Sequence, residues 1–87
     1  MTEFIITNRF RKDVKKLTSD GKKKLSKVLG LLEENPDQPS LHIEKITGTD
    51  NILSARLSIH LRMTFTKLDS QTLILRRIGT HGVYKKP

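Results

Sequence analysis

Apolar residues follow two spacings along this chain, and the switches between them mark its elements. Phe4-Ile5-Ile6 is a short contiguous apolar run and reads as a buried strand. From Thr7 onward the spacing becomes helical. Phe10, Val14 and Leu17 fall at i, i+4 and i+7, on one face of a helix that Thr7 or Asn8 can cap. The Ser19-Asp20-Gly21 cluster is expected to break that helix and cap a second. There Leu25, Val28, Leu29 and Leu32 repeat the helical spacing until Asn35-Pro36 ends it. Two amphipathic helices joined by so short a break make a helical hairpin.

A loop containing Pro36 and Pro39 leads through Leu41 to Gly48, after which the period drops to two. Leu53, Ala55, Leu57, Ile59, Leu61, Met63 and Phe65 hold every odd position, with Ser54, Arg56, Ser58, His60, Arg62 and Thr64 between them. So long an alternation exceeds the usual strand, and a hairpin is expected about Ser58-Ile59-His60. Odd residues stay on one face only if the numbers of cross-strand partners sum to an even value. A three-residue loop does this by pairing 57 with 61, 56 with 62 and 55 with 63. Arg56 then lies opposite Arg62. Like charges directly opposite destabilise a sheet, so the pair either splays into solvent or holds an anion. Asp69-Ser70 reads as the next turn, and Thr72 to Ile78 as the last strand. A two-residue turn there pairs 77 with 62, which brings Arg77 to the same polar face and sends Arg76 to the other; a one-residue change in that loop would exchange them. The predicted class is α+β, a single domain over residues 1–87. An N-terminal strand and a helical hairpin precede an antiparallel β-meander, with the helices packed on one side of the sheet.

Composition narrows the function. The 87 residues include no cysteine, so neither a disulfide nor a Cys-based zinc site supplements the core. Seventeen Lys and Arg against nine Asp and Glu leave a formal charge of +8, which points to a polyanionic partner and first to RNA. Nine of the seventeen basic residues fall between Arg9 and Lys27, on the helical hairpin. Lys15, Lys16, Lys23 and Lys27 are the expected RNA-binding lysines of that surface. The N-terminus has no basic segment followed by a long apolar run, and no stretch reaches the ~20 apolar residues of a membrane span, so a cytoplasmic protein without membrane contact is expected. His42, His60 and His81 lack the spacing of metal ligands, and neither a metal nor another cofactor is expected.

The segment Arg76 to Tyr84 carries the chemistry. An imidazole can trade a proton near neutral pH, and a tyrosine offers both a stacking face and a hydroxyl. His81 stands out because it follows directly on a strand whose neighbours display arginines. Lys45-Ile46-Thr47-Gly48, Leu53-Ser54-Ala55-Arg56-Leu57, Leu61-Arg62-Met63-Thr64-Phe65 and Ile78-Gly79-Thr80-His81 occur in that order. With them, the whole chain resembles the RelE/ParE superfamily of bacterial toxin–antitoxin toxins, above all its RelE, YoeB and YafQ-like mRNA interferases. The resemblance implies a RelE-like fold and a ribosome-dependent endoribonuclease that drives the ribose 2′-OH onto the adjacent phosphate without a metal. It implies that Arg62 is the transition-state phosphate ligand, Arg56 a basic residue on the neighbouring strand and Arg77 a supporting arginine. By the same resemblance His81 protonates the leaving 5′-oxygen, and Tyr84, closer to it than in the best-known members, orients or stacks the substrate. Glu44 stands near a functional histidine of YafQ-like members and reads either as the general base or as a surface carboxylate, while His60 reads as a loop residue. The expected partners are mRNA and the ribosome, an acidic antitoxin protein, and operator DNA only through the antitoxin complex. Two other readings stand beside this one: a ParE-like gyrase inhibitor, and a non-catalytic basic binding module.

Overall fold

Thr7 ends one period and starts the next. The computed structural model describes residues 2–87 and, of His81, the backbone alone. In it the Thr7 hydroxyl donates to the Leu75 carbonyl at 2.8 Å and accepts from the Phe10 N–H at 3.2 Å. One side chain thus ties off strand β1 (Glu3–Ile6) and caps helix α1 (Asn8–Lys15). The break before helix α2 (Ser19–Glu34) lies earlier than expected. The N–H groups of Lys16 and Leu17 bond back to Asp13 and Val14, which closes α1 there. Thr18, with extended backbone, then caps α2 by accepting the Gly21 N–H at 3.1 Å, so Ser19-Asp20-Gly21 form the first helical turn instead of the break.

Strands β2 (Glu44–Lys45), β3 (Ile52–Arg56), β4 (Arg62–Asp69) and β5 (Thr72–Gly79) join β1 in a five-stranded sheet ordered β1-β5-β4-β3-β2. β3, β4 and β5 form the expected antiparallel meander, and β1 pairs parallel with β5. Phe10, Leu25, Val28 and Leu32 from the helices meet Ala55, Met63, Phe65, Leu73, Leu75 and Ile78 from the sheet in one core. The fold is α+β, as predicted. Among the described residues no helix is long and apolar enough to cross a membrane.

Four local expectations are corrected. β1 is an edge strand, not a buried one: Ile5 and Ile6 are 46% and 47% exposed, and only Phe4 packs against the core. Ile59, placed by parity on the core face, sits in the hairpin turn and is 73% exposed. The loop between α2 and β3 holds a 3₁₀ turn at Pro39–Leu41 and the two-residue β2, whose turn into β3 places Gly48 at φ 87°, a left-handed value suited to glycine. Finally, Asp69 accepts the Gln71 N–H at 2.8 Å, so the chain reverses at Ser70-Gln71 and not at Asp69-Ser70. Two register shifts, at Leu68 on β4 and at Arg76 on β5, are of opposite sense and cancel, so the later turn is what sets Gly79 opposite Arg62 and Arg77 opposite Thr64.

Candidate functional site

The β3–β4 hairpin builds one half of the site from its own register. Arg56 pairs directly with Arg62, and Ala55 with Met63, as the parity argument requires. Leu57 N–H donates to the Leu61 carbonyl at 2.9 Å, and Leu61 N–H to the Ser58 hydroxyl at 3.1 Å, which closes the turn tightly. Half-buried Arg62 folds its Nη1 onto the carbonyls of Ser58 and Leu61, so the turn it follows fixes its guanidinium. Arg56 is exposed. Among the described residues the ion pairs are Lys24 with Asp20, Lys67 with Asp37 and Arg77 with Asp13, so both hairpin arginines lack a carboxylate partner.

Strand β5 supplies the other half. The bulge sets Arg76 and Arg77 together against Thr64, and bulges re-aim side chains in this way. Both guanidiniums reach the last residues: Arg76 Nε donates to the Pro87 backbone oxygen at 3.1 Å, and Arg77 Nη1 to that of Lys86 at 3.1 Å. The Thr64 hydroxyl also donates to the Pro87 oxygen, at 3.2 Å. Arg76 therefore does not point away from Arg77's neighbourhood, which corrects the expectation from plain alternation. Arg77 is itself compensated, since its Nε lies 2.7 Å from Asp13 Oδ2.

Register extends this face across the sheet. Glu44 is opposite Ser54, Ser54 opposite Thr64, and Thr64 opposite Arg77, so these four share one row. Glu44 is exposed at the far edge of that row, diagonal to Arg56 and three strands from Arg77. The structure thus brings Arg56, Arg62 and Arg77 to one face with Glu44 on its rim. After β5 the chain forms a 3₁₀ turn, His81–Tyr84, in which Val83 is buried and Tyr84 half-buried. A Cβ on Gly79 would come within 3.3 Å of a Val83 methyl, closer than most side-chain contacts, so this turn returns tightly onto β5. The His81 side chain lies outside the described residues; its backbone follows Gly79, the partner of Arg62, by two positions.

A groove of about 750 Å³ runs between the α1–α2 junction, the β3–β4 turn and the segment after β5. Leu17, Leu61, Ile78 and Val83 contribute apolar walls, and Lys16, Lys24, Lys85 and Lys86 contribute cationic ones. Lys24 also hydrogen-bonds Asp20 at 2.7 Å and holds that carboxyl below its ordinary range, first through the hydrogen bond and then through its charge. Lys15, Lys16, Lys23 and Lys27 are all exposed on the helices. His42 is exposed at the end of the 3₁₀ turn, and His60 in the hairpin turn. Sequence reasoning missed Asp13. Its signal was an acid inside the apolar stripe formed by Phe10, Val14 and Leu17.

No family model matches the chain, and no curated protein matches it by sequence. Solved structures do. A toxin from Helicobacter pylori, crystallised as a copper-bound mutant, superposes with a TM-score of 0.77 at 23% identity, over 95% of this chain and 98% of that one. YafQ from E. coli gives 0.78 at 19% identity, over 95% and 97%. The intact E. coli RelBE toxin–antitoxin complex gives 0.75 at 21% identity, over 92% and 96%. The fold is RelE-like.

Proposed function

We propose that this chain is the toxin of a toxin–antitoxin pair and acts as a ribosome-dependent mRNA endoribonuclease. The observation that carries the reading is the Arg56–Arg62 pair, two cations directly opposed across a hairpin with no carboxylate between them. A phosphate at that point relieves their repulsion, and the charge it gains in the transition state increases the relief. The RelE-like fold supports the same assignment, because toxins from two bacteria share it.

In the proposed reaction the ribose 2′-oxygen attacks the adjacent phosphorus as it loses its proton, the P–O5′ bond breaks, and the 5′-oxygen leaves protonated, giving a 2′,3′-cyclic phosphate. Arg62 and Arg56 stabilise the phosphorane, with Arg77 in support from the next strand. His81 is the proposed general acid, Tyr84 the residue that stacks or orients the substrate, and Glu44 the candidate general base on the rim. Lys15, Lys16, Lys23 and Lys27 hold ribosomal RNA. An acidic antitoxin is the proposed protein partner, operator DNA is met only through its complex, and the site of action is the cytoplasm.

Single-turnover cleavage of mRNA on programmed ribosomes tests this reading. Arg56→Ala and Arg62→Ala should each slow cleavage by a factor on the order of 10² to 10³ with little change in ribosome affinity. Arg56 makes the cleaner variant, since Arg62 also braces the turn. His81→Ala should cost on the order of 10² to 10⁴ and flatten the rate's dependence on pH between acidic and neutral conditions. Wild-type rates from the arginine variants would remove the reading; no cleavage by the unmodified protein, together with inhibition of DNA gyrase, would replace it.

A further inference from the structure

Alternation along a strand sends neighbouring side chains to opposite faces, yet Arg76 and Arg77 converge. The extra residue that β5 inserts opposite Thr64 cancels the alternation, and both side chains line one cavity of about 370 Å³ with Thr7, Arg9, Lys86 and Pro87. Four of its six lining residues are cations. Arg77 is balanced by Asp13; among the described residues no ion pair involves Arg9, Arg76 or Lys86. An oxygen already occupies the position where an anion would be bound: the Pro87 backbone oxygen accepts from Arg76 Nε at 3.1 Å and from the Thr64 hydroxyl at 3.2 Å. A phosphate oxygen in that place would accept from the same two donors, with Arg9, Arg77 and Lys86 on the surrounding wall.

We propose that Arg76, Arg9 and Lys86 form a second phosphate site, which binds the backbone of single-stranded RNA beside the Arg56–Arg62 pair. Its place in the register gives it this role. Arg62 lies opposite Gly79, and Arg77 two residues further along β5, so cationic groups continue from the hairpin pair across the neighbouring strand, about 4.8 Å away, to Arg76 and then to Arg9 on α1. RNA with one phosphate at the hairpin pair lays a neighbouring phosphate in this cavity, in place of the Pro87 oxygen. The choice of RNA as the polyanion rests on the function proposed above. The site itself rests on the bulge, the convergent cations and the seated oxygen.

The test is binding of a short single-stranded RNA methylated at every 2′-oxygen, which cannot supply the attacking hydroxyl and so reports binding alone. Affinities are measured from about 50 to 200 mM salt, where each lost phosphate contact lowers the log–log slope by about 0.7. Arg76→Gln should lower it by that amount and weaken low-salt binding about tenfold. Lys45→Gln, an equal charge change on exposed β2, should do neither. Arg76→Lys should restore the slope but only part of the affinity, because an ammonium lacks the planar fork. Circular dichroism checks the fold first. If Arg76→Gln does not fold, Arg9→Gln, on the exposed first turn of α1, carries the same expectation. Unchanged slope and affinity in the folded variants overturn the proposal, as does an equal loss in Lys45→Gln. Arg76-dependent binding of oligoglutamate without binding of RNA overturns it too, in favour of an acidic protein. Ribosomal cleavage is read separately. Arg76-dependent RNA binding by a protein that cuts nothing keeps this site and removes the nuclease reading; cleavage with wild-type RNA affinity in Arg76→Gln does the reverse.

Discussion

Asp13 occupies a position on α1 where the helical pattern asks for an apolar side chain, and the sheet explains why an acid is there. β1 ends at Ile6 while β5 runs on to Gly79, so the last stretch of β5 has no strand beyond it on that side. Asp13 Oδ2 fills the gap by accepting the Ile78 N–H at 3.1 Å and the Arg77 Nε at 2.7 Å. The Asp13 and Arg77 side chains are 10% and 19% exposed, so water replaces little of this if it is lost. Asp13→Ala should therefore cost about 3 kcal/mol in urea unfolding, because it strands a largely buried guanidinium and a backbone donor together. Asp13→Asn keeps an acceptor for Ile78 and should cost distinctly less. A loss below about 0.5 kcal/mol for Asp13→Ala, the range of ordinary surface changes, would mean that the pair does not tie α1 to β5.

At the scale of elements, some of the fold could be read from spacing and some could not. The helices were legible because each shows an apolar stripe of several members, from Phe10 to Leu17 and from Leu25 to Leu32. The β3–β4 register was legible because parity and one short loop fix it, and with it the opposition of Arg56 and Arg62. The β4–β5 register was not. The turn lies one residue later than its Asp69-Ser70 signal, which moves every partner by two, so Arg77 is opposite Thr64 and not Arg62. The bulges at Leu68 and Arg76 cancel in the pairing, but the second turns Arg76 toward Arg77, which alternation cannot count. β2, with two residues, is too short to show any period. The alternation of β3 and β4 likewise says nothing of the tail, whose contacts with Arg76 and Arg77 are long-range. Helix α2 contains one residue that its element does not need. Gly30 is exposed in the helix interior, and a Cβ there would meet nothing within 4 Å. Gly30→Ala should stabilise the protein by about 1 kcal/mol, chiefly by restricting the unfolded chain, and raise Tm by roughly 4–8 °C in a thermal melt. An unchanged or lower Tm would mean that the glycine serves the folded state in some way beyond its own helix.

Across the whole molecule the charge is divided between two surfaces of different character. Arg56, Arg62, Arg76 and Arg77 gather on the sheet face and its β5 edge, the last three held by the hairpin turn, by backbone oxygens and by Asp13. Among the described residues the lysines of α1 and α2 are solvated and, Lys24 excepted, make no ion pair. Flexible ammonium groups make long-range, salt-sensitive contacts with phosphates, while braced guanidiniums impose a geometry. Under the proposed function, affinity for the ribosome should therefore belong to the helices, and the position of cleavage to the sheet. Replacing Lys15, Lys16, Lys23 and Lys27 together by glutamine removes four point charges without touching the core. If each meets a phosphate, the log–log slope of ribosome affinity against salt should fall by roughly 3, at 0.7 to 0.9 per contact. The cleavage site on mRNA, mapped by primer extension at saturating ribosome concentration, should not move. A wild-type affinity that stays flat between about 50 and 200 mM salt would take the lysines out of ribosome binding. A shifted cleavage site in the quadruple variant would mean that the helices help to place the message, and the division of labour between the two surfaces would fail.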